Sequence, residues 1–195
     1  MYKDPAPWDR TNSFALVSYI PEPLASFLDR LRQELVPDCY LRAHVTVLPP
    51  RPVSDPEAAW GALTNAISRV QPFEVRMTDV EVFPVSDVIY INVGAGHEQL
   101  RHMHDALAVD GLQFQEQFEY QPHVTLAQDL KPGQLDQLAA LARLRWAEFA
   151  SGKSFWVEKA MFVRNTSCEW VDLAECALGP SGSARNDQLT GLLAK

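Results

Sequence analysis

No run of apolar residues in this sequence approaches the roughly 18 that a membrane span needs, and residues 1–10 lack the apolar core of a secretory signal. A cytoplasmic location with no membrane partner is therefore expected. Cysteine is scarce: Cys39, Cys168 and Cys176 are odd in number and nowhere spaced C-x-x-C, so neither a disulfide framework nor a zinc knuckle follows. Positive charge is also in short supply, with 17 Lys+Arg against 25 Asp+Glu and a formal net charge of -8. Proteins that coat long nucleic acid do so by neutralising phosphates, so that class is excluded and any phosphate must be held locally. Phosphate-loop, nucleophile-elbow and HExxH patterns are all missing, which leaves ATP-driven, serine-hydrolase and zincin chemistry without support.

What remains is enough for one ordinary domain: 195 residues, of which 47% are hydrophobic and 22% charged. Residues 1–13 are polar, Pro-rich and aperiodic, and the tail from Gly179 is loose before Leu189, Leu192 and Leu193. Both ends are expected to be peripheral to a single domain over residues 14–178. Hydrophobic periodicity predicts strands at Phe14–Ile20, Arg42–Leu48, Phe73–Phe83, Val88–Val93, Pro122–Ala127, Trp146–Ala150, Phe155–Arg164 and Trp170–Ala177. Helices are expected from about Glu22, with Pro23 in the first turn, from a Ser54-Asp-Pro-Glu57 capping box, over Gly96–Val109, and from near Pro132 with a Leu135, Leu138, Leu141 stripe. Several strands follow one another without a helix between them. That order predicts an α+β class with antiparallel or mixed sheets and two similar lobes.

Two tetrapeptides carry the chemistry: His44-Val-Thr46-Val and His123-Val-Thr125-Leu, each in an expected strand. With five histidines and seven threonines in the chain, chance predicts roughly 0.2 occurrences of His-x-Thr, so a matched pair is informative where one copy is not. Residues i and i+2 of a strand share a face. Each strand therefore offers an imidazole and a hydroxyl to one side, while Val45 and Val47, or Val124 and Leu126, anchor it from behind. If a pseudo-twofold relates the halves, two imidazoles and two hydroxyls converge. One imidazole could take a proton from a nucleophile while the other gives one to a leaving oxygen, and the hydroxyls could donate to an anion. Metal-free phosphoryl transfer is the chemistry that this set suits.

The paired motifs, the runs His44–Pro52 and Tyr120–Leu126, and the element order from Phe14 to Leu178 resemble the two-histidine (2H) phosphoesterase superfamily. That superfamily includes bacterial 2′-5′ RNA ligases and RNA 2′,3′-cyclic phosphodiesterases. The resemblance implies a bilobal fold whose two sheets line a central cleft with helices outside. It also implies hydrolysis of a cyclic phosphodiester without metal or cofactor, His44 and His123 being catalytic and Thr46 and Thr125 holding the phosphate. It further implies that His123 activates water and His44 protonates the departing 3′ oxygen. RNA-processing members often carry Arg soon after the second motif, where this chain has Gln128, so an RNA end is implied less strongly than a small nucleotide. The expected partner is a small nucleotide or RNA end bearing a cyclic or 2′-5′ phosphodiester, acted on by a monomer. The competing reading is a module that binds a nucleotide or phosphorylated ligand without turnover.

Other candidates are set against plainer uses. Arg42 shares a strand face with His44 if the strand is regular, as a phosphate contact or as a solvent-facing arginine. Arg51 and Arg164 are weaker phosphate candidates, with surface charge as the alternative. Tyr90, Phe114, Phe118 and Tyr120 could stack on a base, or pack beneath a loop. His97, His102 and His104 are read as a solvated helix face, not a metal site. Asp79 and Glu81 are read as exposed.

Overall fold

The computed structural model describes residues 12–109, 111–166 and 169–179. Cys168 and the three tail leucines lie outside these described residues, as do residues 1–11. In the first half, β1 (Phe14–Tyr19), α1 (Leu24–Leu35), β2 (His44–Arg51), α2 (Pro56–Ile67), β3 (Phe73–Val82) and β4 (Ile89–Val93) follow in order. The second half holds α3 (His97–Leu107), β5 (His123–Ala127), α4 (Leu135–Glu148), β6 (Ser154–Val157), β7 (Lys159–Asn165) and β8 (Trp170–Ala177). The strands form two four-stranded sheets, ordered β2-β1-β7-β8 and β5-β4-β3-β6, with every pairing antiparallel. The α+β class and the two-sheet plan match the sequence expectation. Among the described residues no helix is long and apolar enough to cross a membrane.

One continuous core joins the inner faces of both sheets to the helices. On β1 the alternation is plain: Phe14 and Leu16 enter that core, while Ala15 and Val17 join Val163, Tyr19, Met161 and Trp170 in a small cluster on the other face. This second face matters because Val17 lies opposite Thr46 and Tyr19 opposite His44. α2 covers the first sheet, with Trp60 stacked on Phe162 at 5.9 Å. α1 and α4 meet through Phe27, Trp146 and Phe149. Gly96 caps α3 with φ at 88°, and a Cβ there would lie 2.6 Å from the Glu74 carbonyl. The position thus requires glycine both for its backbone angle and for its close approach to β3.

Several boundaries differ from the sequence reading. β2 starts at His44, leaving Arg42 before it, and runs through Pro49 and Pro50 to Arg51. β2 is an edge strand, where a missing N–H on the open side breaks no ladder bond. Pro23 sits at the N-cap of α1, one place before its first turn. Asp55, not Ser54, caps α2, accepting a hydrogen bond from the Ala58 amide at 3.0 Å. The expected strand Trp146–Ala150 is absent: α4 continues to Glu148 and buries Ala139, Ala142 and Trp146, while the leucine stripe is only partly buried. Small residues on that face let α4 sit close enough for Trp146 to donate to the Thr78 carbonyl of β3 at 2.5 Å. The expected long strand Phe155–Arg164 breaks at Glu158, since β6 pairs with β3 in one sheet and β7 with β1 in the other.

Candidate active site

β2 and β5 are the edge strands of different sheets, and they contact each other. Their inward anchors are fully committed to the core: Val45 and Val47 are 0% exposed, Val124 and Leu126 1%. Burying each such side chain is worth about 1.5–3 kcal/mol, which fixes the strand faces and leaves His44, Thr46, His123 and Thr125 half-buried on the opposite side. The two histidines are held alike. His44 Nδ1 lies 2.7 Å from the Arg42 carbonyl and His123 Nδ1 2.7 Å from the Gln121 carbonyl. A carbonyl can only accept, so Nδ1 carries the proton in both neutral rings and Nε2 is left as the reactive nitrogen.

Electrostatics agrees with a shared site. Burial pushes the His44 pKa down to about 4, helped by the nearby charges of Arg32 and His123 and opposed by the Arg42 carbonyl. Burial likewise lowers that of His123, against the pull of the Gln121 carbonyl. The charge of His123 reaches His44, and both rings favour the neutral form at pH 7. An anion placed between them would raise the affinity of the pair for a proton. Such a site can hold a single proton on either of two nitrogens, which is what paired acid and base catalysis requires.

Residues that sequence reasoning passed over complete the walls. Beside His44, Tyr19 donates to Asp172, while the Arg42 guanidinium sits 3.8 Å over the Tyr19 ring and 3.3 Å from Asp172. Arg42 is 63% exposed and stays near His44 through these contacts, although it is not part of β2. Burial and the Asp172 hydrogen bond push the Tyr19 pKa up, so its hydroxyl stays protonated. Beside His123, Tyr90 and Asn92 lie opposite Thr125 and His123 on β4. Glu81 accepts from Tyr90 at 2.9 Å and from Asn92 at 3.1 Å, so Glu81 is not the exposed carboxylate expected, whereas Asp79 is exposed. The alternation Tyr90-Ile91-Asn92 was a readable sign of this polar face. Phe83 stacks on Tyr90 at 3.9 Å and meets the His123 ring edge-on at 5.0 Å. Tyr90 is 3% exposed, so Phe83 covers the ring that was expected to meet a base.

Other candidates are used elsewhere. Arg51, far from being surface charge, is 2% exposed. Its guanidinium donates to the Pro49 and Leu112 carbonyls and, at 2.5 Å, to Glu116, pinning the segment that leads into β5. Arg164 pairs across from Phe14, at the end of β1 remote from His44, and donates to Asn12. Tyr120 stacks on His104 at 4.2 Å and donates its hydroxyl to the Thr46 carbonyl at 2.7 Å, a bracing role between the two motif strands. His104 is not on a solvated face as expected: it is drawn in by Glu116 at 3.0 Å and by Tyr120. Burial works to lower the His104 pKa, yet bonds to Glu116 and Asp105 carry it upward. Phe114 and Phe118 are exposed, at 48% and 57%, not packed beneath the loop. No three His, Cys, Asp or Glu side chains among the described residues converge as a metal site requires.

Residues 20–167 match the family model described as the 2′-5′ RNA ligase superfamily. Among solved structures, Escherichia coli LigT in its apo form superposes with a TM-score of 0.61 at 14% identity, covering 86% of this chain and 98% of LigT. TT0787 of Thermus thermophilus follows with 0.56 at 18% identity over 87% and 99%, and Kluyveromyces marxianus Usb1 with 0.53 at 12% over 84% and 98%. LigT has also been solved complexed with phosphate and with 3′-AMP, at TM-scores of 0.58 and 0.59. No curated protein matches the chain in sequence.

Proposed function

Since this chain belongs to the 2′-5′ RNA ligase superfamily, among the two-histidine phosphoesterases, we propose that residues 14–178 form a single metal-independent phosphodiesterase domain hydrolysing a 2′,3′-cyclic phosphate of a nucleotide or RNA end. The observation that carries this reading is the matched holding of His44 and His123, each with Nδ1 on its own i−2 carbonyl, on touching edge strands. Thr46 and Thr125 would donate to the phosphate oxygens, and neither hydroxyl is spent on another described residue. A module that only binds an anion needs donors but has no use for two proton-exchanging rings on touching strands, one within electrostatic reach of the other.

In the proposed reaction, water attacks phosphorus as His123 Nε2 takes its proton. The bond from phosphorus to the 3′ oxygen breaks, and His44 Nε2 gives that oxygen a proton. The product is a 2′-phosphate with a free 3′ hydroxyl, and solvent exchange restores the rings. His44, its pKa pushed down to about 4 by burial and Arg32, is a strong acid once protonated, and His123, its own pKa lowered by burial, is neutral and free to take a proton. A proton is disfavoured on His44 in the free protein, so the bound phosphate must draw it there. The LigT complexes with phosphate and 3′-AMP, and the net charge of -8, favour a small nucleotide over extended RNA.

The test is a screen of purified protein against the four nucleoside 2′,3′-cyclic phosphates, 2′-5′ dinucleotides and cyclic-phosphate-ended RNA, with the product phosphate located. Formation of the 2′-phosphate is expected. A substrate with an activated leaving group needs little protonation, so His44→Ala should be largely rescued on it while His123→Ala is not. A 3′-phosphate product or the reversed rescue pattern would reverse the assigned roles.

A further inference from the structure

Behind the Arg42 carbonyl that orients His44 lies a buried guanidinium that the mechanism has not used. Arg32, on α1, is 4% exposed. Its NH1 donates to the carbonyls of Leu41 at 2.9 Å and Arg42 at 3.1 Å, its Nε is buried without a partner, and no carboxylate among the described residues pairs with it. An arginine keeps its charge even when buried, and burying an unpaired charge is costly enough that helices avoid it without cause. Asp29, also on α1, is occupied in accepting the Ala43 amide at 2.7 Å. The second motif has the same carbonyl-to-imidazole bond, but no guanidinium among the described residues bonds the Gln121 carbonyl.

We propose that Arg32 is a positioning residue that makes the two matched histidines chemically unequal, acting on His44 through the Arg42 carbonyl, with no counterpart behind His123. The carbonyl receives both the guanidinium and the His44 Nδ1–H, so it is fixed in place and the ring with it. The unpaired positive charge sets itself against a second positive charge on His44. The groups around His44 are Arg32 from α1, Tyr19 from β1, the Arg42 carbonyl and His123 from β5; Asp29 of α1 holds the adjacent Ala43 amide, and Asp172 is held by Tyr19 and Arg42. Of the arginines, Arg42 is exposed and paired with Asp172, and Arg32 is the buried one. The depression of the His44 pKa to about 4, with Arg32 as its largest cause after burial, accords with this. Arg32 thereby makes His44 the stronger acid of the pair, ready to give up a proton that a bound phosphate has placed there.

The consequence for turnover rests on the two-histidine reading above, but the primary readout needs no turnover. Ring resonances of His44 and His123 in the isotopically labelled full chain, assigned with His44→Ala and His123→Ala, are titrated by NMR in wild type, Arg32→Gln and Arg32→Lys. Gln keeps N–H donors for the carbonyls and removes the charge; Lys keeps the charge. In wild type His44 titrates below His123. In Arg32→Gln it rises by about one pH unit or more, and in Arg32→Lys it stays low, with the acid limb of kcat/KM moving in parallel. A His44 titration unmoved in folded Arg32→Gln overturns the proposal, because a purely structural arginine would lower stability and leave the ring alone. Should Arg32→Gln not fold, the wild-type chain decides: His44 and His123 titrating at the same pH overturns it. Absence of turnover in wild type counts against the phosphodiesterase reading and leaves the ring titrations to decide this one.

Discussion

His44→Ala and His123→Ala are each expected to lower turnover by about 10²- to 10⁴-fold, the typical contribution of one general acid or base, and the double variant to be little worse than either. In the proposed reaction the two rings act on one proton inventory across one phosphate. Once either is gone the other has no partner with which to exchange, and effects of groups that work as a unit do not add. Both rings are half-buried on faces opposite the core anchors, so truncation removes the imidazole without opening the core. Steady-state kinetics on a cyclic nucleotide, with thermal unfolding to show intact folding, measures this. A single variant near full activity, or a double variant whose loss is the product of the two, contradicts it.

Thr46→Ala and Thr125→Ala carry the next largest expected effect. A hydrogen bond to a charged group is worth about 1.5–3 kcal/mol, roughly 10- to 150-fold in kcat/KM. Each hydroxyl would touch the phosphate in both ground and transition states, so binding and turnover should weaken together. Affinity for inorganic phosphate, measured by calorimetry, should fall along with kcat/KM. Stability that falls while kinetics and phosphate affinity hold would assign the threonines to strand packing instead.

The shared faces of His44 with Thr46 and of His123 with Thr125 were legible because a strand's period of two is rigid: His and Thr two apart, backed by Val45, Val47, Val124 and Leu126, can point only one way. The α+β class was legible from strands that succeed one another without helices, and the plan of two sheets from the family resemblance. What surrounds the four motif residues was not, because tertiary partners decide it. Arg32 reads as the polar interruption of the leucines of α1, and only the return of the chain at Leu41 and Arg42 gives it a purpose. Arg51 and His104 read as surface residues until Glu116 and Tyr120 close on them. The strongly apolar stretch from Phe155 hides a change of sheet at Glu158, since a charged pair within it also fits a single alternating strand and alternation continues on both sides of the break. At Trp146 an aromatic, apolar ending reads as a strand, where the alanines of α4 allow the helix to pack close enough to bury the indole.

The central claim, that His44 and His123 form one acid–base pair, is tested most directly by the pH dependence of kcat/KM in wild type and both single variants. In the proposed reaction the productive free protein holds one proton on the pair. His44 is depressed to about 4 and His123 also lies below its usual value of 6.5. Activity should therefore rise as pH falls from about 7.5, peak between these values, and decline as both rings become protonated. Each single variant should lose one limb of this bell. A wild-type maximum above about pH 7, or a bell left intact by either substitution, would contradict the account.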